Sequence, residues 1–224
     1  MSNVFGFSTE PSSTAEFTPI VKYDARAGRI FRVDRLDTGN GFENNPVDIT
    51  SNFKAIFDFE NVEVGWIDFP VGSAPSFALV RMGKQLPERP SAKHKNGLRF
   101  MLKLAKGCGG DKPVREIAGT SKAFLSGIET VYTMYLAGKQ AAAGKLPVIV
   151  LASTTPVSSG SGDRKSTNYH PYFQIVDWAE RPDDLGKLPA DPAPKANGTA
   201  PSTGATVMAP PKASATPSAD NDFG

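Results

Sequence analysis

Basic side chains are concentrated in residues 81–122, which hold eleven Lys and Arg residues against three acidic ones. The 40 residues before them, 41–80, hold six acidic residues and one basic residue. Because each cationic side chain can neutralise a phosphate, this density indicates a surface that binds a polyanion, although a solvated charge is an equally good interpretation for any one residue. The basic candidates are Lys84, Arg89, Lys93, Lys95, Arg99 and Lys103, with Arg164 and Lys165 in a Ser/Gly-rich segment.

Aromatic rings could supply a second kind of contact, because bases stack on them and each stack contributes ~1–3 kcal/mol whatever the base. The candidates are Trp66, Tyr169 and Tyr172. Tyr169 adjoins the basic segment, whereas for Trp66 and Tyr172 the alternative is core packing with a hydrogen-bonded polar tip. Cations and stacking rings together predict binding to single-stranded nucleic acid.

Catalytic and metal-binding chemistry has little support in the sequence. Cys108 is the single cysteine, which excludes an intramolecular disulfide, and only His94 and His170 could join it as metal ligands. Residues 138–145 contain two glycines and two lysines, but not at the spacing of a phosphate-binding loop, and they suit the end of a helix. We therefore predict no catalytic residue, no metal site and no cofactor, which makes the protein a binding protein and not an enzyme.

Apolar periodicity predicts the elements that would position these side chains. A helix begins after Thr120 or Ser121 and ends near Gly138 or Gly144, and the polar residues 38–51 and 156–168 form loops. Phenylalanines alternate with other residues over 53–59, which places three rings in the core. Strands are predicted over residues 28–35, 53–59, 62–69, 77–81, 98–104, 147–152 and 172–178.

Several strands, one helix and two more strands are the order of an oligonucleotide/oligosaccharide-binding (OB) fold. We predict a mostly β fold: an OB-fold, a five-stranded Greek-key barrel with extra strands and one main α-helix, over residues 1–184. Residues 185–224, rich in Pro, Ala, Ser and Thr, are predicted to be a disordered C-terminal tail. In OB barrels the loops between strands one and two and between strands four and five contribute to the nucleic-acid site, which selects residues 38–52 and 156–168.

The sequence gives no sign of a membrane segment. No apolar run approaches the ~20 residues needed to span a bilayer, and residues 1–19 lack the pattern of a secretion signal. We expect no membrane association and no export.

The end of the chain carries a resemblance. An acidic, phenylalanine-bearing tip, with Asp220, Asp222 and Phe223, follows the low-complexity linker. With the Arg164/Lys165 loop and the closing strand that leads to Arg181, this arrangement resembles bacteriophage single-stranded DNA-binding proteins, in which an OB domain precedes a flexible tail with such a tip. The resemblance spans the whole chain.

That resemblance implies a sequence-independent single-stranded DNA-binding protein acting in phage DNA replication, recombination or repair, in the cytoplasm of the infected bacterial host. It also implies that Asp220, Asp222 and Phe223 bind phage or host replication and recombination proteins. Two alternatives stay open: a phage structural or adaptor protein whose β domain binds another protein, and an RNA-binding OB protein, since nothing in the sequence reports on the 2′-hydroxyl.

Overall fold

Backbone hydrogen bonding, more than apolar patterning, defines the strands of this chain. The computed structural model describes residues 18–39, 41–138, 143–159, 161–162 and 165–186. These residues are mostly β and form ten strands in one mixed sheet, with two α-helices and two short 3-10 helices, Thr50–Asn52 and Phe59–Asn61. The first seven strands are β1 (Ile20–Asp24), β2 (Arg29–Asp37), β3 (Phe42–Asp48), β4 (Lys54–Phe57), β5 (Glu63–Asp68), β6 (Ser76–Arg81) and β7 (Lys95–Leu104). They are followed by α1 (Lys106–Gly109), β8 (Val114–Gly119), α2 (Lys122–Ala137), β9 (Leu146–Ser159) and β10 (Ser166–Ala179).

The strand order is β10-β9-β4-β7-β8-β1-β2-β3. Two strands pair with the same edge of the ten-residue strand β7. Its first half pairs with β5, and its last three residues pair with β4. β5 in turn carries β6. The pair formed by β1 and β8 is parallel, whereas the other pairs are antiparallel. β10 also approaches β1, since the Tyr169 amide donates to the carbonyl of Ala25, in the turn after β1, at 2.7 Å.

The core lies between the sheet and α2. As the alternating pattern predicts, Phe53, Phe57 and Phe59 are buried, and Phe57 contacts the ring of Phe100 with centroids 5.1 Å apart. The helix adds one apolar face to this cluster, formed by Phe124, Ile128, Val131 and Tyr135. The Phe57 and Phe59 rings pack edge to face with centroids 5.5 Å apart, and such a pair contributes about 0.5–1.5 kcal/mol beyond its buried area.

The helix prediction is confirmed. Ser121 caps α2, its side chain accepting a hydrogen bond from the Phe124 amide at 3.2 Å, and Gly138 ends it. Gly127, a poor helix former, is explained by packing, because a Cβ there would lie 2.6 Å from the Pro171 ring of β10. The helix and β10 approach closely only because that side chain is missing.

Two loop predictions are wrong. Residues 42–48, predicted to be part of a loop, form β3 and pair with β2 along its length. The predicted mobile loop over residues 156–168 is mostly strand, since β9 runs to Ser159 and β10 begins at Ser166. Both segments are polar and are held by backbone ladders that apolar periodicity does not report. Pro46 is compatible with β3 because that strand lies at a sheet edge.

The C-terminal end of the described chain packs back on the sheet. Leu185, which the sequence assigns to the tail, is buried, and the Arg181 side chain donates to its carbonyl at 3.3 Å. Arg181 also bonds to the buried Asp58 and, at 2.9 Å, to Glu60. Residues 181–185 therefore form a closing segment of the domain.

Candidate nucleic-acid interface

A groove of about 830 Å³ opens at one end of β7 and β8. Among the described residues, four parts of the chain form it: β5 at Trp66, the start of β7 with the segment before it, the N-terminus of α2, and the tip of the β9–β10 hairpin. Its lining residues are Trp66, Arg89, Lys95, Asn96, Thr120, Ser121, Lys122, Ala123, Leu125, Val157, Asn168 and His170. Three of the predicted site residues, Trp66, Arg89 and Lys95, are thus brought together.

Trp66 is held in a fixed orientation at the groove. Its indole Nε1 donates to the Pro87 carbonyl at 2.8 Å, and the guanidinium of Arg89 lies over the ring, 5.3 Å from its centroid. The polar tip is therefore satisfied, as the core alternative expects, while the side chain still lines the groove. A half-buried, oriented indole beside a cation can stack with a base.

Arg89 organises the irregular segment that precedes β7. Its Nε donates to the His94 carbonyl at 2.9 Å and one of its terminal nitrogens to the Ala92 carbonyl at 2.7 Å. The His94 ring is buried between two hydroxyls, with Ser91 2.9 Å from Nδ1 and Ser76 3.1 Å from Nε2. These bonds hold the segment before β7 against Trp66, so Arg89 contributes to the shape of the groove as well as to its positive charge.

The electrostatics of the groove favour an anion. Among the residues that the structure describes, its lining contains the cations Arg89, Lys95 and Lys122 and no carboxylate. The N-terminus of α2, a helix of 16 residues without an acidic residue in its first turn, also faces this cavity. Helix N-termini carry a partial positive charge, which adds to the positive charge of the three side chains.

Two of the predicted cations are engaged by carboxylates elsewhere. Arg99 donates through Nε to Glu63 at 2.7 Å, lies 3.6 Å from Glu116, and stacks over the Phe77 ring. Burial raises the pKa of Glu116, an effect that the positive charge of Arg99 opposes. Lys103 donates to both carboxylate oxygens of Asp184 at 2.7 Å. The cationic outer face expected for β7 is therefore largely neutralised.

The remaining predicted residues lie outside the groove lining. Lys84, Lys93 and Lys165 are exposed, in the turn after β6, before β7 and before β10. Tyr172 is exposed on β10, next to the buried Phe173. Arg164 and the tip residues Asp220, Asp222 and Phe223 lie outside the described residues.

Tyr169 lies between two groove residues but faces the other way. Asn168 and His170 line the groove, and since successive side chains of a strand alternate, Tyr169 is on the opposite face of the hairpin. Its Cβ and Cγ stand 2.9 Å from where a Cβ on Gly28 would be, and Gly28 has a φ of +67°. The ring therefore packs over a turn that only glycine suits.

Sequence reasoning missed Lys122, Asn96, Asn168 and His170 as parts of this site. Lys122 belongs to the basic stretch, and the caps before it were predicted, so a local signal existed. What was lacking is the tertiary arrangement that places the start of α2 beside the β9–β10 tip.

No group of three or more His, Cys, Asp or Glu side chains that could hold a metal ion occurs among the residues placed by the structure. Within the same residues, no helix has the length and apolar character needed to cross a membrane. The chain matches no protein-family model, and searches of curated proteins and of solved structures find no significant similarity. The geometry of the groove is therefore the basis for assigning a function.

Proposed function

We propose that this protein binds single-stranded DNA without sequence preference, in the groove beside Trp66. The observation that carries the proposal is one open cavity whose described lining places an oriented indole beside three cations and holds no carboxylate. Phosphates would be neutralised by Lys95, Lys122 and the Arg89 guanidinium, and a base would stack on Trp66. Asn96 and Asn168 offer amide donors and acceptors that tolerate any base.

We also infer that the sheet is built on an OB-type barrel. In support, β4 pairs with β7, β7 with β8, β4 with β9 and β9 with β10, and α2 lies between β8 and β9. With these five as the barrel strands, the groove lies between the connection that follows the first strand and the tip of the hairpin formed by the last two. OB barrels bind oligonucleotides between those two connections. The first is then residues 58–94 rather than residues 38–52.

In this correspondence β1 is an additional strand that fills the gap between the third and fifth strands. It pairs in parallel with β8, and the turn after it accepts the Tyr169 amide of β10. β2 and β3 extend the sheet beyond it.

Tryptophan fluorescence tests the proposal directly. Trp66 lines the groove, whereas Trp178 stacks on Tyr135 with ring centroids 5.8 Å apart, so the two tryptophans report on different places. Oligothymidylate at low salt should quench the protein and its Trp178→Phe variant, but not Trp66→Phe. Quenching that is retained in Trp66→Phe and lost in Trp178→Phe would place binding elsewhere, and equal affinity for duplex DNA would contradict single-strand selectivity.

The resemblance to phage single-stranded DNA-binding proteins supplies the wider proposal. The protein would act in phage replication, recombination or repair in the infected host cell, with the tip at Asp220, Asp222 and Phe223 capturing partner proteins. Deleting residues 220–224 should abolish partner capture while leaving DNA affinity unchanged or higher. Tighter binding to RNA than to DNA of the same sequence would favour an RNA-binding role, and absence of binding to both would favour an adaptor role.

A further inference from the structure

A second cavity, of about 560 Å³, lies at the other end of β8 from the groove. The groove includes Thr120, which follows β8, whereas the second cavity includes Arg115 near its start. Thr120 is five residue steps along the chain from Arg115, which corresponds to roughly 17 Å at about 3.3 Å per residue. The second cavity is lined by Pro19, Arg32, Asp34, Arg35, Leu36, Phe42, Gly110, Asp111, Lys112 and Arg115.

Positive charge predominates in the part of this cavity's lining that the structure describes. It holds four cationic side chains and two carboxylates. Asp34 is shared by two of those cations, since it accepts from Arg32 at 2.9 Å and from the buried Arg115 at 2.7 Å. Lys112 makes no ion pair with a residue that the structure places. An anionic group would therefore meet a cation that no described carboxylate pairs with.

The wall of the cavity carries an aromatic ring. Phe42 is 63% exposed, and no other aromatic residue that the structure places is exposed to that extent. The Arg35 guanidinium lies over it, 4.2 Å from the ring centroid, on the same face of the β2–β3 hairpin. Folding does not bury this ring, although a large exposed apolar group is costly to leave in water.

We propose that this second cavity is a nucleotide subsite, in which Phe42 stacks with a base and Lys112 binds a phosphate of the same single strand that occupies the groove. The inference rests on the proposed function and extends it, because the strand would follow β8 from one end of the sheet to the other. A planar base with a phosphate is the ligand that suits an exposed ring beside an excess of positive charge.

Oligonucleotide length tests the proposal. An oligothymidylate of about 4 nucleotides should bind in the groove alone, and one of about 16 should reach both sites, since these lengths bracket the site size of one OB domain. Phe42→Ala with Lys112→Glu should weaken the long oligonucleotide about tenfold and leave the short one unchanged. Both side chains lie at the surface, so the variant should fold.

Matched controls separate a site effect from a general one. Leu136→Ala removes a side chain that is 61% exposed on α2, and Lys22→Glu makes the same charge change at the exposed position of β1. This control pair should leave both affinities within about twofold of the unmodified protein at moderate salt, where distant charges are screened.

The outcomes distinguish the two proposals. If the short oligonucleotide fails to quench Trp66 in the unmodified protein, the proposed function is wrong. If it quenches Trp66 but the Phe42/Lys112 variant binds the long oligonucleotide normally, or loses affinity equally for both lengths, the second subsite is wrong and the groove stands.

Discussion

At the scale of single residues, a charge pair with a buried carboxylate joins the closing segment to the residue that follows β4. Asp58 is fully buried, and the Arg181 guanidinium contacts both of its oxygens. These hydrogen bonds raise the pKa of Arg181, while its partial burial opposes the effect. A buried carboxylate of this kind is tolerated only while its partners remain.

Removing Arg181 should therefore destabilise the domain strongly. We expect Arg181→Met to lower the free energy of unfolding by about 3–5 kcal/mol, because the aliphatic stem is retained while Asp58 is left buried and charged. Asp184→Ala breaks the half-exposed pair with Lys103 and is the matched control, with an expected cost below about 1 kcal/mol. Urea denaturation measures both. If adding Asp58→Asn to Arg181→Met restored no stability, the uncompensated charge would not be the cause.

Tyr23 gives a prediction about alkaline pH. Its hydroxyl donates to the Tyr169 carbonyl at 2.6 Å, and burial, with a smaller effect from Asp24, raises its pKa to about 12. The unfolded chain ionises this phenol near its ordinary value of 10, before the folded protein does, so its contribution is complete below pH 10 and is lost between pH 10 and 12.

Tyr23→Phe should be less stable than the unmodified protein near neutral pH, but it should lose less stability at alkaline pH. At pH 8 it should cost about 1 kcal/mol, since the hydrogen bond to the Tyr169 carbonyl is lost. Between pH 10 and 12 its stability should fall less than that of the unmodified protein. Some decline remains, because burial also raises the pKa of Tyr132 and Tyr135. Unfolding curves at several pH values measure this, and parallel declines in the two proteins would contradict it.

At the scale of elements, the sequence predicts the helix and those strands in which apolar residues recur at a regular spacing. The helix, its Ser121 cap and the buried faces of β4 and β7 follow from residue spacing. The strands that were not predicted, β1, β3 and β8, are either short or lie among polar residues, and they form because neighbouring backbones offer hydrogen bonds. β8 also carries the buried Arg115, a charged residue that interrupts the apolar pattern of its inward face.

The contact between α2 and β10 can be tested through Gly127. Alanine favours helix by about 1 kcal/mol over glycine, so intrinsic propensity predicts stabilisation. The added Cβ would instead lie 2.6 Å from the Pro171 ring and 2.7 Å from its carbonyl. We expect Gly127→Ala to lower the unfolding free energy by about 1–3 kcal/mol through overpacking. Gly107→Ala, in α1 with nothing within 4 Å of the new methyl, is the control, and equal effects would contradict the explanation.

At the scale of the whole molecule, the distribution of charge matters more than the small net charge of +2. The sequence locates the basic stretch correctly, but it cannot show which cations are already paired. Arg99 and Lys103 come from the same stretch as Lys95, and folding places them against Glu63 and Asp184 while Lys95 faces the groove. Charge density along the chain therefore overstates the number of cations available for a polyanion.

The salt dependence of DNA binding separates these two classes of lysine. For single strands, log affinity falls with log salt concentration with a slope of about −0.7 for each phosphate neutralised. Lys95→Gln and Lys122→Gln should each reduce the magnitude of that slope by about 0.7, because both side chains line the groove. Lys103→Gln makes the same change in charge but removes a lysine that Asp184 already neutralises, so its slope should stay that of the unmodified protein. Equal reductions in all three variants would mean that the field of the whole domain, and not the groove, binds the phosphates.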